Sequence, residues 1–316
     1  MIFRVITNKG REHSAYGLFS SFPDQFAAIL EDPSGEGKQF LVSSRGESTS
    51  LPQHASEQEA THFFNHWKAN VSATVTKTDE HSPAIRCLVY AAYEAGGLIE
   101  DLPEAKTAVH GPVLWTLYPD FSFCFDDKHI HLAASNEQSL KSALVMLDEA
   151  VPPSSQATPF ETADLITTSA AQYKKAVQQV KDYIAAGDVF QANIARFWQM
   201  PFEVSNLTAL YDRLRQVNSA PFSSFARIGS GSDSLYLISA SPERLFRIHA
   251  DGKVDTRPIA GTRRRAEGDK DDALRAEMLL SEKERAEHIM LVDLERNDLG
   301  RVCKPGTVEV NEAMAV

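Results

Sequence analysis

The chain has 316 residues, with 43 Asp and Glu against 32 Lys and Arg, so its formal net charge is −11. A content of 43% hydrophobic and 24% charged residues is typical of globular proteins and excludes collagen-like, coiled-coil and disordered classes. The acidic balance without a basic tract argues against nucleic-acid binding, which needs Lys and Arg to neutralise phosphates.

The cysteines and the apolar runs indicate in which cellular compartment the protein works. Cys87, Cys124 and Cys303 are odd in number and lack metal-ligand spacing, so we expect reduced packing residues. No stretch approaches the ~18 consecutive apolar residues of a membrane span, and the N-terminus is charged where a signal peptide would be apolar. We therefore expect a soluble cytoplasmic protein with no membrane partner.

In chain order, the first half alternates β-prone runs with helical patterns. The predicted strands are Gln39–Ser43, Cys87–Ala92, Val113–Tyr118 and Phe121–Phe125, and the predicted helices are Glu57–Ala69 and Glu137–Leu147. Pro, Ser and Thr then cluster in residues 151–169, where hydrophobic periodicity is lost. The sequence therefore predicts an N-terminal subdomain over residues 1–150, a connection over 151–169 and a second part over 170–316.

The second part begins with an amphipathic helix over Ala170–Ala186, capped by Ser169 and ended by Gly187. Further elements are a strand over Val189–Trp198, strands over Leu235–Ser239 and Arg244–Ile248, and helices over Asp271–Leu280 and Glu282–Asn297. The last helix opens with Ser281 and, three residues on, Glu284, which predicts a capping box. Strands clustered between helices without a βαβ alternation indicate an α+β fold.

Four segments are denser in functional residue types than bulk composition requires. They are residues 187–196, 241–244, 256–262 and 283–301. Read singly, they predict ordinary features: a turn, a strand entry, and a solvated helix with a glycine cap. Together, their order and spacing closely resemble the chorismate-utilising enzymes. That family holds anthranilate synthase component I, aminodeoxychorismate synthase component I, and the isochorismate and salicylate synthases.

The resemblance is strong over residues 173–310 and looser over residues 93–103. It implies two facing antiparallel sheets flanked by helices, with chorismate as substrate and Mg²⁺ as cofactor. Under this resemblance, residues 170–316 form the N-terminal half of the chorismate-binding catalytic domain.

The resemblance also implies roles for single residues. Glu287 matches a metal-ligand glutamate, and Mg²⁺ prefers oxygen ligands. Glu243 matches the general acid or base for the departing hydroxyl, which requires a raised pKa. Thr262 and the backbone of Gly261 match positions that contact substrate, and Thr262 is also counted with Glu243 among the catalytic residues. A glycine at such a position lets backbone N–H groups approach an anion closely. Gln191 matches a further substrate-binding position.

Three positions separate the branches of the family. The isochorismate and salicylate synthases have a lysine where Gln191 stands, and a glutamine amide takes no proton at neutral pH, so amination is favoured. Asn193, with residues 93–96, 220–222 and 239–243, resembles the aminodeoxychorismate branch. Ala260 is instead typical of anthranilate synthases, since many aminodeoxychorismate synthases have a nucleophilic lysine there. We favour aminodeoxychorismate synthase and keep anthranilate synthase as the alternative.

Two expectations concern the protein as a whole. The absence of a Cys/His glutaminase pattern implies that a separate glutamine amidotransferase subunit supplies ammonia. The family normally continues with further metal and substrate residues beyond residue 316, so we expect a chain truncated at its C-terminus and inactive alone. An inactive binding or regulatory relic is the alternative of another class.

Overall fold

The structure of the chain is a computed structural model that describes residues 1–8, 13–32, 37–75, 83–102, 111–152, 165–231, 234–249 and 251–315. It divides into two compact units, one formed by residues 1–153 with 215–316 and the other by residues 154–214. The predicted connection at 151–169 falls largely on residues 153–164, outside the described part. The predicted domain bounds therefore stay a prediction.

Strands and helices alternate along the described chain. The strands are β1 (Ile2–Thr7), β2 (Phe26–Glu31), β3 (Gln39–Ser43), β4 (Gly46–Leu51), β5 (Leu88–Ala91), β6 (Leu114–Pro119), β7 (Phe121–Phe125), β8 (His129–Ala134), β9 (Ile166–Thr167), β10 (Trp198–Gln199), β11 (Phe222–Ile228), β12 (Leu235–Ser241), β13 (Arg247–Ile248) and β14 (Val254–Asp255). The helices are α1 (Ala15–Ser21), α2 (Glu57–Val75), α3 (Glu137–Glu149), α4 (Ala170–Ala186), α5 (Leu207–Val217), α6 (Asp269–Leu280) and α7 (Glu282–Val302). No helix among the described residues is long and apolar enough to cross a membrane.

The first unit is built on an antiparallel seven-stranded sheet in the order β1-β8-β7-β3-β2-β11-β12. A second antiparallel sheet, β4-β6-β5, lies against one of its faces. Val42 and Ile228 of the large sheet pack there with Trp115 and Leu117 of β6. The predicted α+β fold with facing antiparallel sheets is therefore confirmed.

Helices α1 and α3 contact the seven-stranded sheet. Phe19 of α1 packs on Phe225 of β11, with ring centroids 5.1 Å apart. Near this packing, the buried carboxylate of Glu31 accepts hydrogen bonds from Arg215 at 2.7 and 3.0 Å. The Arg215 guanidinium also lies 4.0 Å from the centroid of the Tyr16 ring. This ion pair joins β2 to the end of α5.

Most predicted elements after residue 165 are confirmed, but the predicted bounds of two strands are wrong. Val189–Trp198 has no regular structure before Trp198, and only Trp198–Gln199 pairs, with Ile166–Thr167. A strand needs a neighbour that pairs with it along its length, and among the described residues no strand pairs with residues 189–196. Arg244–Ile248 is a strand only at Arg247–Ile248, because residues 242–246 form the turn that leaves β12.

In the second unit, α4 begins and ends as predicted. The Ser169 side chain accepts from the Gln172 backbone N–H, and the Gln172 side chain accepts from the Ser169 backbone N–H. Gly187 ends the helix with φ 83°, the left-handed conformation that glycine adopts without strain.

Candidate active site

The first unit contains a cleft of about 330 Å³ where the turn after β12 meets the segment 257–261, the end of α6 and the first turns of α7. Its polar lining includes Glu243, Arg244, Arg257, Glu284, Arg285 and His288. Its apolar lining includes Phe222, Pro242, Pro258, Ile259, Ala260, Met278, Leu279, Met314 and Ala315. The cleft thus combines two carboxylates, three guanidinium groups and an apolar wall, the mixture typical of small-molecule sites.

Glu243 is positioned by the turn that follows β12. The Ser241 hydroxyl donates to the Glu243 carbonyl oxygen at 3.0 Å, and the Glu243 backbone N–H donates to the Ser241 hydroxyl at 3.4 Å. The Glu243 Oε1 accepts a hydrogen bond from the Ile259 backbone N–H at 2.8 Å. The carboxylate is therefore fixed against the neighbouring cleft wall.

Gly261 brings the 257–261 segment against α7. Its φ of 76° is left-handed, and a Cβ at this position would lie 2.5 Å from the Glu284 Oε2. Only a glycine combines this backbone conformation with this close approach. Gly261 therefore sets how near the Glu284 carboxylate can come to the cleft backbone.

Glu284 was predicted to complete a capping box, and the structure corrects this interpretation. The Ser281 hydroxyl accepts from the Glu284 backbone N–H, as expected, but the Glu284 Oε1 accepts from Arg263 Nη1 at 2.7 Å. A charged guanidinium is a stronger partner for a carboxylate than a backbone N–H. The Glu284 Oε2 is buried and has no hydrogen-bond partner among the described residues.

The other predicted site residues lie at different places. Glu287 is half-buried one turn after Glu284 on α7 and, in the described structure, is not among the cleft-lining residues. Thr262 is exposed beside Gly261, and its carbonyl oxygen accepts from Arg263 Nη1 at 3.1 Å. Gln191 lies in the second unit, exposed in a segment without regular structure.

Glu295, two turns beyond Glu287, is a half-buried glutamate that sequence reasoning did not single out. Its Oε2 has no hydrogen-bond partner in the described part of the chain. Burial raises the pKa of Glu295, and the nearby Glu243 and Asp298 carboxylates raise it further, whereas a hydrogen bond with Thr256 lowers it. The signal in the sequence was weak, because a glutamate within a helix usually faces solvent.

Arg244 stands between this region and the cleft. Its guanidinium pairs with Asp255, which also pairs with His249. The hydrogen bond from His249 lowers the pKa of Asp255 despite partial desolvation, and the Arg244 charge lowers it further. Asp255 therefore stays ionised and orients Arg244 at the cleft wall.

Glu284 of the cleft and Glu287 beside it on α7 fit a hard divalent cation. Glu284 offers a buried oxygen without a hydrogen-bond partner in the part of the chain that the structure describes, and Glu287 lies three residues on, so both can face one side of α7. Mg²⁺ is bound through one or two carboxylates together with ligand oxygens and water, which matches this donor set.

The region of the chain that matches a known protein family contains the residues of the cleft. The model of the chorismate binding enzyme family matches residues 26–316, nearly the whole chain. The chain belongs to this family. Glu243, Gly261 and Glu284, which meet in the cleft, all lie within the matched region. The region that matches the family model therefore includes the cleft and six of the seven strands of the large sheet.

Curated relatives carry two kinds of name. An anthranilate synthase component I-like protein of Synechocystis is 39% identical over 237 residues, covering 72% of this chain and 47% of that protein. Anthranilate synthase component 1 of Haloarcula marismortui is 48% identical over 61% of this chain and 37% of its own length. Aminodeoxychorismate synthase component 1 of Bacillus subtilis is 45% identical over 46% of this chain and 30% of its own length. The chain thus spans less than half the length of these relatives.

A solved structure shares the fold. Anthranilate synthase component I of Streptococcus pneumoniae matches with a TM-score of 0.63 and 23% identity, over 84% of this chain and 61% of that one. The isochorismate synthase MenF of Escherichia coli matches with a TM-score of 0.53 and 13% identity, over 95% and 64%. The fold is therefore that of chorismate-utilising enzymes.

Proposed function

We propose that this sequence belongs to component I of an ammonia-dependent chorismate-aminating synthase. The observation that carries the proposal is the cleft in which Glu243, Gly261 and Glu284 meet inside the matched region of a chorismate binding family. Two of these three residues, Glu243 and Gly261, are ones for which the sequence resemblance implied a role.

The lining of the cleft matches the chemistry of chorismate, a ring with two carboxylates. Arg285 presents a guanidinium for a carboxylate, while Ile259 and Ala260 offer an apolar surface for the ring. In this proposal Glu284 and Glu287 hold Mg²⁺. When bound, Mg²⁺ neutralises the ring carboxylate and withdraws charge from the conjugated ring, which favours departure of the allylic hydroxyl.

The residues of the chain then handle protons and orientation. Glu243, held by the Ile259 N–H, serves as the general acid or base at the departing hydroxyl, which takes up a proton and leaves as water. Ammonia forms the new C–N bond and loses a proton, so chorismate and ammonia give the aminated product and water. Gly261 and Thr262 contact the substrate in this proposal, and Gln191 stays a predicted substrate-binding residue. Ammonia comes from a glutamine amidotransferase subunit.

The product we propose is 4-amino-4-deoxychorismate. Asn193 and the residues around Pro221 and Ser239 resemble that branch. Anthranilate is the second candidate, because Ala260 lines the cleft and provides no nucleophile, as in the anthranilate branch. With alanine at this position, ammonia attacks the ring directly in either case.

The test is product analysis, with chorismate, Mg²⁺ and ammonium, of a protein that contains these 316 residues together with the further metal and substrate residues that the family resemblance implies. We expect Mg²⁺-dependent formation of 4-amino-4-deoxychorismate, measured by chromatography and mass spectrometry. Glu243→Gln should abolish turnover, and the matched control Glu282→Gln, on the exposed first turn of α7, should keep it. Fluorescent anthranilate as main product would favour the second candidate. Chorismate left unconsumed would contradict both and favour a non-catalytic binding protein.

A further inference from the structure

The hairpin that joins β7 to β8 carries a compact group of metal-ligand side chains outside the cleft. Asp126 directly follows β7, and His129 and His131 lie two residues apart on β8. Alternate residues of a strand point to the same face, so both imidazoles stand on one side of the sheet. One ligand atom of each of the three residues lies within 4.8 Å of the others.

The Asp126 carboxylate is held in place by the turn itself. Its Oδ1 accepts from the Lys128 and His129 backbone N–H groups at 2.9 and 2.7 Å. Its Oδ2 lies 2.8 Å from the His131 Nε2, and Oδ1 lies 3.6 Å from the His129 Nδ1. These contacts orient the carboxylate toward both imidazoles.

The group is partly covered but open on one side. The exposed fractions of the side chains are 16% for His131, 28% for Asp126 and 42% for His129. Cys124, which pairs with His131 across the hairpin, is fully buried. The candidate ligands are therefore the two imidazoles and the Asp126 carboxylate.

We propose that Asp126, His129 and His131 form a binding site for a borderline divalent cation of the Zn²⁺ type. Two imidazoles and one carboxylate are a ligand set that Zn²⁺ and its neighbours prefer, whereas Mg²⁺ prefers oxygen ligands alone. None of the three residues lines the cleft, so the site does not depend on the proposed amination. A bound ion ties the turn at Asp126 to β8 and stabilises the hairpin.

The test is titration of the metal-free chain with Zn²⁺, followed by calorimetry and by thermal unfolding. We expect one ion per chain and a higher unfolding temperature in Zn²⁺, with no displacement by excess Mg²⁺. His129→Ala, His131→Ala and Asp126→Asn should each weaken binding by at least about tenfold. Asn keeps an oxygen that can accept the turn hydrogen bonds. His62→Ala, an exposed histidine of α2, is the matched control and should bind as the unmodified chain does.

Two results would overturn the proposal. One is Zn²⁺ affinity that is unchanged in the His129→Ala and His131→Ala variants, and the other is an ion that excess Mg²⁺ displaces. Should a variant fail to fold, the absorption spectrum of Co²⁺ bound to the unmodified chain tests the site instead. A four- or five-coordinate spectrum of the bound Co²⁺ supports the site, and the spectrum of the hydrated ion contradicts it.

Discussion

Gly261 and Glu284 lie so close together that a Cβ on residue 261 would stand 2.5 Å from the Glu284 Oε2 and 2.8 Å from its Cδ. Arg263 holds the other carboxylate oxygen of Glu284 at 2.7 Å, so the side chain cannot turn away without losing that ion pair. The absence of a side chain at Gly261 thus allows the 257–261 segment to lie this close to Glu284 of α7.

Gly261→Ala should therefore displace the Glu284 carboxylate and weaken Mg²⁺-dependent chorismate binding. The left-handed backbone adds a cost of about 1–3 kcal/mol in the free energy of unfolding. Gly252→Ala separates the two effects, because Gly252 has φ 83° but open space around it. Calorimetry with chorismate and Mg²⁺ should show loss of binding only in Gly261→Ala. Equal binding by both variants would contradict the contact argument.

Glu287→Gln and Glu284→Gln should each abolish Mg²⁺-dependent chorismate consumption. An amide oxygen is a much poorer Mg²⁺ ligand than a carboxylate. Rates measured over a Mg²⁺ titration check this, with Glu282→Gln as the control on the same helix. If Glu287 is only a solvated helix residue, its variant keeps full turnover at limiting Mg²⁺ and changes stability by no more than about 0.5 kcal/mol.

No covalent adduct between chorismate and the protein should form during turnover. Ala260 lines the cleft where a nucleophilic lysine would stand, and its methyl group cannot attack the ring. Intact-mass spectrometry of the protein quenched during turnover checks this, and Ala260→Lys provides the comparison in which an adduct can form. An adduct trapped on another residue of the unmodified protein would refute direct attack by ammonia.

Arg215→Met should destabilise the first unit by about 3–5 kcal/mol, because it leaves the buried Glu31 carboxylate without its guanidinium. The control is Arg301→Met, since the pair of Arg301 with Glu100 is more than half exposed on both sides. Exposed pairs contribute about 0–1 kcal/mol. Urea unfolding of both variants checks the difference, and equal stabilities would show that the buried pair contributes little.

Glu295→Gln should raise the free energy of unfolding at pH 7 and lose this advantage near pH 4. The pKa of Glu295 is raised above 4.5 in the folded chain, so the folded state binds this proton more tightly than the unfolded state. Stability therefore falls as pH rises from 4.5 through the folded pKa. Unfolding at several pH values checks this against Glu267→Gln, an exposed glutamate. A gain that does not vary with pH would contradict it.

Local chemistry made much of the fold predictable. Ser169 and Gly187 mark the ends of α4 because capping depends on residues adjacent in sequence. The apolar runs of β3 and β7 predicted those strands at their observed bounds. The prediction of a strand over Val189–Trp198 is wrong because strand formation depends on pairing with a distant segment, which the local sequence does not encode.

The sequence by itself determined the family, because the motifs are defined by residue types and spacing and can be read without a structure. It also placed Glu243 and Gly261 among the site residues. Only the tertiary structure decided that Glu284 pairs with Arg263 rather than closing a capping box, and that one carboxylate oxygen of Glu295 is buried. Both depend on side chains that meet across long stretches of chain, and no local spacing encodes which charge will lie nearest a given carboxylate.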